Sequence, residues 1–456
     1  AAADTVASGA NLKYTAAGGS IDVTVAGAGT ADTATATLTA ATNTALALSG
    51  VETLNVVAAA PAIVGTDLTI TTLSTDGNKV VLSGSNDIVI STLNDGDGAG
   101  TTIGTVDASE VTGAFTVSAT VTNESMTLSG GKGTNTITAS QTTANVVYTG
   151  GDGTDTVTAA QTGGDLTAVL GAGANTVTAA GAITGTLVTN GLGGVDTITA
   201  NALTTGTANV TSGGGADVIS IGGGDSITTG KVTINAGDGN DTITVGYGTV
   251  AGGMSTVIDA GAGDDGITLS AANDAASTTT TVDGGAGTDT LTLDDNTDLT
   301  AGAVTLSNLE VIQLAGKNDT GNANFQAADI SGQTFTMKSD GGNDGNGFTV
   351  TGAASTTVID LSTLTIDQTV TKGVFATTVT AAAGTAGATI TGTAVADTIT
   401  GSGSADTITA GNGIDIIIGG GGNDTIILTE TTANSAVDQV NLNVASTNGR
   451  DTIQGF

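Results

Sequence analysis

GTAVADTIT GSGSADTIT AGNGIDIII GGGGNDTII, residues 392–427, is four nine-residue units laid end to end. Asp397, Asp406, Asp415 and Asp424 stand nine residues apart without slippage, and two places after each lies Ile399, Ile408, Ile417 or Ile426. Successive side chains of a strand point to opposite faces. The isoleucine is therefore expected to point inward and the residue between it and the aspartate outward, which locks loop and strand in one register.

Working outward, a second array repeats the pattern with a longer step. It reads GGKGTNTIT (130–138), GGDGTDTVT (150–158), GAGANTVT (171–178), GLGGVDTIT (191–199), SGGGADVIS (212–220), AGDGNDTIT (236–244), AGAGDDGIT (260–268) and GGAGTDTLT (284–292). Its key residues are Asn135, Asp155, Asn175, Asp196, Asp217, Asp241, Asp265 and Asp289, at steps of 20, 20, 21, 21, 24, 24 and 24. A second apolar stretch precedes each loop, for example 145–148, 166–170, 231–234 and 255–258. One repeat thus reads strand, turn, strand, glycine loop: one coil of a two-sheet solenoid, a parallel β-roll. Two of the short units make one coil of eighteen. In the longer array only one turn per coil keeps the motif.

The nonapeptide consensus G-G-x-G-x-D-x-U-x, with U a large aliphatic residue, is that of the RTX (repeats-in-toxin) proteins, and here the chain resembles that family. The unit at 419–427 matches fully; the unit at 392–400 has Thr393 and Val395 where glycines belong. The resemblance implies Ca²⁺, bound by an aspartate and backbone carbonyls of one coil together with those of the next. Ca²⁺ takes six to eight oxygens, and a short loop can turn its carbonyls inward only with backbone angles open chiefly to glycine.

On that footing the expected metal residues are Asp152, Asp155, Asp196, Asp217, Asp225, Asp238, Asp241, Asp259, Asp265, Asp283, Asp289, Asp397, Asp406, Asp415 and Asp424. The loop glycines Gly150, Gly153, Gly213, Gly215, Gly237, Gly239, Gly261, Gly263, Gly285, Gly287, Gly411, Gly413, Gly420 and Gly422 go with them. The resemblance pairs Asp397 with Asp415 and Asp406 with Asp424, and sets Asp217, Asp241, Asp265 and Asp289 in one column. Asn235, Asp259 and Asp283 open three loops and are candidate extra ligands. Asn135 and Asn175 replace the key aspartate, so sites near them are expected to be weak or empty.

The flanks are vaguer. SGVETLNVV (49–57) and NLEVIQLAG (308–316) look like one motif used twice, as do DASEVTG (107–113), DISGQTF (329–335) and DLSTLTI (360–366). The expected fold is all-β: a β-roll flanked by more solenoid or small sandwiches. The expected segments are 1–125, a long-repeat roll 126–296, a connecting segment 297–390, the nonapeptide roll 391–430 and a tail 431–456.

Composition narrows the function. The 456 residues carry 43 acids against 8 bases, a net charge of −35, so the chain repels nucleic acid and anionic membranes and attracts cations. Nearly all the acid is aspartate, the residue of turns and metal loops. There is no Cys, His or Trp, hence no disulfide, zinc or haem ligand and no histidine base. Calcium is the expected staple instead. No apolar run reaches the ~18 residues of a membrane helix. With 72 Gly and one Pro lacking a three-residue period, collagen is excluded. The adjacent carboxylates Asp264–Asp265 and Asp294–Asp295 are the acid–base candidates, and strand alternation points their side chains apart. The chain is therefore expected not to be an enzyme. The threonine ladder Thr136/Thr138, Thr156/Thr158, Thr176/Thr178 and Thr197/Thr199 resembles the flat arrays of ice-binding solenoids, but threonine is also an ordinary outward strand residue.

Among RTX proteins the chain is most similar to bacterial S-layer subunits, which calcium rigidifies and links into a lattice. That resemblance implies a structural, self-associating, extracellular cell-surface protein exported by type I secretion, with cell-surface polysaccharide as a possible further partner. An RTX adhesin or its extender, or the calcium-binding portion of an exported enzyme, are the alternatives. The chain begins at Ala1 without Met and reads as a processed or excised piece.

Overall fold

The structure, a computed structural model, describes residues 4–14, 19–26, 31–39, 44–59, 68–75, 78–95, 103–119, 125–140, 144–160, 163–181, 184–223, 227–247, 253–270, 279–294, 297–300, 302–315, 322–339, 347–367, 376–382, 387–428, 437–442 and 449–455. The chain forms two compact units, residues 1–223 with 231–239, and residues 224–230 with 240–456.

In the first unit, consecutive strands alternate between two sheets, and each pairs in parallel with the equivalent strand of the next coil. One sheet stacks Phe115–Ala119, Asn135–Ala139, Asp155–Ala159, Thr176–Ala179, Thr197–Ala200 and Val218–Ile221. The other stacks Thr105–Val111, Met126–Ser129, Val146–Thr149, Leu166–Val169, Thr186–Asn190, Thr207–Gly214 and Lys231–Asp238. The register is strict: Asn135 faces Asp155 and Ile137 faces Val157. The described residues before 125 continue the same winding, with Thr33–Leu38, Thr53–Ala58, Lys79–Gly84 and Thr105–Val111 in one parallel stack.

The second unit follows the same plan. Thr242–Gly246, Gly266–Ser270, Thr290–Asp294, Val311–Ala315, Thr336–Ser339 and Thr365–Asp367 stack in parallel. So do Ser255–Ala262, Thr279–Asp283 and Ala303–Ser307. In the nonapeptide tract Ala376–Thr380, Asp397–Thr400, Ile416–Ile418 and Gln439–Val440 form one sheet. Val358–Asp360, Thr389–Thr391, Thr407–Thr409, Thr425–Ile427 and Thr452–Gln454 form the other. The flanks are thus more solenoid and not sandwiches, and strands pair across each of the expected boundaries at 125, 296, 390 and 430. A single helical turn, Ala327–Ile330, interrupts the strands of the described residues. None of their helices is long and apolar enough to cross a membrane.

Alternation along each strand explains the core. In Asp155–Ala159 the burial pattern puts Asp155, Val157 and Ala159 inside and Thr156 and Thr158 outward. Each coil contributes only a few aliphatic side chains, such as Ile137, Val157, Val177 and Ile198, all fully buried. The small residue set gives a thin interior, and the identity of the coils lets those side chains stack in rows. Phe325 and Phe348, on paired strands, meet edge to face at 6.3 Å.

Two motifs of the flanks acquire a structural meaning. Glu52 Oε2 accepts the Asp32 N–H at 2.7 Å, and Glu310 Oε2 accepts the Asp289 N–H at 2.8 Å. SGVETLNVV and NLEVIQLAG are one device in which a glutamate reaches back to the preceding coil. Asp107 and Asp360 each fold onto the serine two places on, accepting its N–H and its hydroxyl.

Candidate metal centre

The key acids of the glycine loops are inside the molecule. Asp155, Asp196, Asp217, Asp241, Asp265, Asp289, Asp397, Asp406, Asp415 and Asp424 are each at most 2% exposed. The period of two that buries the aliphatic residue buries the aspartate on the same face.

Most of these carboxylates are tied to the preceding coil through one oxygen. Oδ1 of Asp265 accepts the Asp241 N–H at 2.7 Å, and Oδ1 of Asp289 accepts the Asp265 N–H at 2.9 Å. In the first unit Asp217 does the same for Asp196 at 2.7 Å, and Asp196 for Asn175 at 2.9 Å. In the nonapeptide tract Asp415 does so for Asp397 and Asp424 for Asp406, both at 2.9 Å. These links join the residue pairs that the family resemblance implied.

The second oxygen is different. In Asp196, Asp265, Asp289 and Asp424, Oδ2 is buried with no hydrogen-bond donor, a costly arrangement for a carboxylate without a counter-charge. For Asp196, Asp289 and Asp424 the space beside it exists because a glycine stands five places earlier; before Asp265 that place is held by Ala260. A Cβ on Gly191, Gly284 or Gly419 would lie 2.3, 2.8 or 2.4 Å from Oδ2 of Asp196, Asp289 or Asp424. The loops themselves are lined by carbonyls of the neighbouring coil. A Cβ on Gly285 or Gly287 would lie 1.9 Å from the carbonyl oxygen of Gly261 or Gly263. Gly285 and Gly287 have φ of +95° and +144°, open chiefly to glycine.

A buried orphan carboxylate oxygen surrounded by carbonyls fits a hard cation with oxygen ligands. Among the described residues no three acids converge, so the donor set would be one or two carboxylates plus loop carbonyls. Bound there, calcium would supply the charge that the orphan oxygens lack.

Electrostatics agree. Burial, reinforced by Asp217 and Asp155, pushes the Asp196 carboxyl up to about 6. Burial, reinforced by Asp415, pushes Asp397 up to about 7. Burial also raises Asp155, Asp265, Asp289 and Asp424.

The remaining expected ligands are placed otherwise. Asp152, Asp238 and Asp259 are exposed, and Asp283 is half-buried, its Oδ1 accepting the Asn308 Nδ2 at 2.7 Å. Asp225 lies outside the described residues. Of the expected loop glycines, Gly213, Gly215, Gly237, Gly239, Gly261, Gly263, Gly285, Gly287, Gly411, Gly413, Gly420 and Gly422 share the left-handed conformation; Gly150 and Gly153 do not.

Two loops of the nonapeptide tract are closed by hydroxyls. Where the consensus has glycine, Thr393 donates its N–H to Asp397 Oδ2 at 2.6 Å and its hydroxyl to Oδ1 at 2.9 Å. Ser402 treats Asp406 in the same way, at 2.6 and 2.9 Å.

Some members of the columns were not expected. Asp438 Oδ1 accepts the Asp415 N–H and Asp451 Oδ1 the Asp424 N–H, both at 3.1 Å. Glu310 closes the column after Asp289. Each carries the acid-x-aliphatic signature (Asp438-Gln-Val, Asp451-Thr-Ile, Glu310-Val-Ile) but lacks the glycine loop before it.

A family model of the RTX calcium-binding nonapeptide repeat matches four copies, over residues 228–249 and 384–427. No curated protein and no solved structure matches the chain. With its parallel coils, its glycine loops and its buried aspartate columns, the chain is a parallel β-solenoid that carries RTX calcium-binding nonapeptide repeats.

Proposed function

We propose that this chain is a structural, extracellular building block whose subunits associate through calcium, as in an S-layer lattice, and that it performs no catalysis. The observation that carries the reading is uncompensated acid on a repetitive scaffold. The chain has 43 acids against 8 bases, and Lys79–Asp107, at 3.5 Å, is the one ion pair among the described residues. Exposed aspartates such as Asp152, Asp238 and Asp259 leave carboxylates on the outside, where a divalent cation can bridge two chains. Self-repulsion keeps chains apart at low calcium. Folding and assembly at ~10⁻⁴–10⁻³ M, the range of extracellular calcium modules, suit a protein exported unfolded from a low-calcium cytosol. RTX-type export and the cell-surface location belong to this same reading.

Light scattering and negative-stain microscopy across a calcium titration, with Mg²⁺ as control, test it. Ordered sheets above ~1 mM Ca²⁺ and none with Mg²⁺ are expected. A monomer that persists at several millimolar calcium would overturn the lattice reading in favour of an adhesin extender or an enzyme's calcium-binding portion. Equal assembly with Mg²⁺ would reduce the effect to charge screening.

A further inference from the structure

In the first unit the acid column is broken at Asn135 and Asn175, both at most 1% exposed. Asn175 Oδ1 behaves like that of the aspartates, accepting the Asp155 N–H of the preceding coil at 3.0 Å, whereas Asn135 Oδ1 accepts the N–H of Gly131 in its own loop at 2.8 Å. The difference lies in the other atom. Asn135 Nδ2 donates to the carbonyls of Gly131 at 3.1 Å and Gly133 at 3.0 Å, and to Oδ1 of Asp155 at 2.7 Å. Asn175 Nδ2 repeats the set with Gly171 at 3.3 Å, Gly173 at 2.7 Å and Asp196 Oδ1 at 3.0 Å.

Each amide thus gathers two loop carbonyls and the carboxylate of the next coil, the same kinds of oxygen that a cation gathers in an aspartate loop. An amide NH₂ has two donors and no need of a counter-charge. The loop backbone has adapted as well. None of Gly131, Gly133, Gly151, Gly153, Gly171 and Gly173 adopts the left-handed conformation of Gly285 or Gly420. Protein atoms also occupy the space: the fully buried Tyr148 lies beside these loops, and a Cβ on Gly130 would be 2.5 Å from its hydroxyl.

We infer that Asn135 and Asn175 are built-in substitutes for calcium, so that the loops they close need no metal while the aspartate loops of the second unit require it. The inference rests on the calcium reading of those aspartate loops. It makes the loops closed by Asn135 and Asn175 a part of the solenoid that is ordered before calcium arrives.

Hydrogen exchange read by mass spectrometry on the full chain, in calcium and in EGTA, tests it. Strands Asn135–Ala139, Asp155–Ala159 and Thr176–Ala179 should keep their protection in EGTA, while Thr242–Gly246, Gly266–Ser270 and Thr290–Asp294 lose theirs. In Asn135→Asp/Asn175→Asp the first set should also lose protection in EGTA and regain it in calcium, with more calcium taken up per chain in equilibrium dialysis. Loss of protection in every strand of the wild type would overturn the inference and leave the calcium reading standing. Protection of every strand in EGTA would overturn the calcium reading, and the inference with it. A double variant that keeps its protection in EGTA and takes up no added calcium would overturn the inference alone. The wild-type comparison decides even where the variant fails to fold.

Discussion

The loops at 130–175 and those at 260–289 share the same glycine–acid spacing and close by different chemistry. In the first group side-chain amides hold the carbonyls, and the glycines keep ordinary backbone angles. In the second, the glycines are left-handed; a buried Oδ2 without a donor occurs in both groups, at Asp155 in the first and at Asp265 and Asp289 in the second. Replacing one oxygen by an NH₂ group, at nearly constant shape, exchanges a need for a cation for two hydrogen-bond donors. The two groups place uncharged amides at some levels of the solenoid and buried carboxylates at others.

Chelation should separate the groups most widely. A site held at a hundredfold excess over its Kd adds about 2.7 kcal/mol. Several such sites together rival the ~5–15 kcal/mol total stability of a domain. Circular dichroism and calorimetry in excess EGTA should show loss of β-signal and a large fall in Tm. An unchanged spectrum and melting temperature would break the comparison outright.

Asp289→Asn tests a single loop with a change of sign. In calcium the variant should lose up to about 2.7 kcal/mol, one site's worth. In EGTA it should be more stable than the wild type, because a buried uncompensated charge has gone. Asp152→Asn, at an exposed position, should change neither. Urea melts with and without calcium give all four numbers, and a loss for Asp289→Asn in both conditions would mean the carboxylate is structural without calcium.

Alanine at Gly285 and at Gly151 sharpens the backbone difference. The new Cβ would meet a carbonyl oxygen at 1.9 Å in the first case and 2.2 Å in the second, so the crowding is similar. Only Gly285 is left-handed, and that conformation costs an L-residue about 1–2 kcal/mol. Gly285→Ala should be the worse variant by about that amount in calcium, read from denaturant midpoints.

A last effect is expected on pH dependence. Asp196 and Asp397 are raised to about 6 and about 7, so between pH ~4 and those values the folded chain binds more protons than the unfolded one. In calcium-free buffer this contribution is full below the usual carboxylate pKa and is lost as pH rises through 6 to 7. Saturating calcium should flatten the slope. Melts at pH 5 and pH 8 measure it, and greater calcium-free stability at pH 8 would contradict the burial of these carboxylates.

The repeats made the solenoid legible. Asp424-Thr-Ile and its counterparts state a period of two inside periods of eighteen, twenty and twenty-four, and only stacked parallel coils satisfy both. Residues 1–125 were less legible because their turns lack the glycine–aspartate punctuation, although Glu52-Thr-Leu follows the acid-x-aliphatic rule. Among candidate ligands, the aspartate followed two places on by an aliphatic residue is buried in the column, whereas Asp152 and Asp238, which look equivalent by composition, are exposed. The reason is parity along the chain. Asp152 and Asp238 stand three places before the key aspartate, and Asp155 and Asp241 share the face of their aliphatic partners.

The sequence alone determined the repeat unit, its register and the residue type at each loop, because those follow from local spacing and from which side chains tolerate which backbone angles. Tertiary structure decided what each loop does with them. Whether Oδ2 of an aspartate is orphaned, as in Asp289, or met by a backbone N–H, as that of Thr393 meets Asp397, depends on the atoms brought within 3 Å of it. So does the capture of Gly133 O, Gly173 O and their coil neighbours by Asn135 and Asn175. Asp438, Asp451 and Glu310 join their columns across gaps of 23, 27 and 21 residues that break the steps of 18 and 24 of those columns, because the coil, once wound, brings their acid-x-aliphatic strands into the same stack.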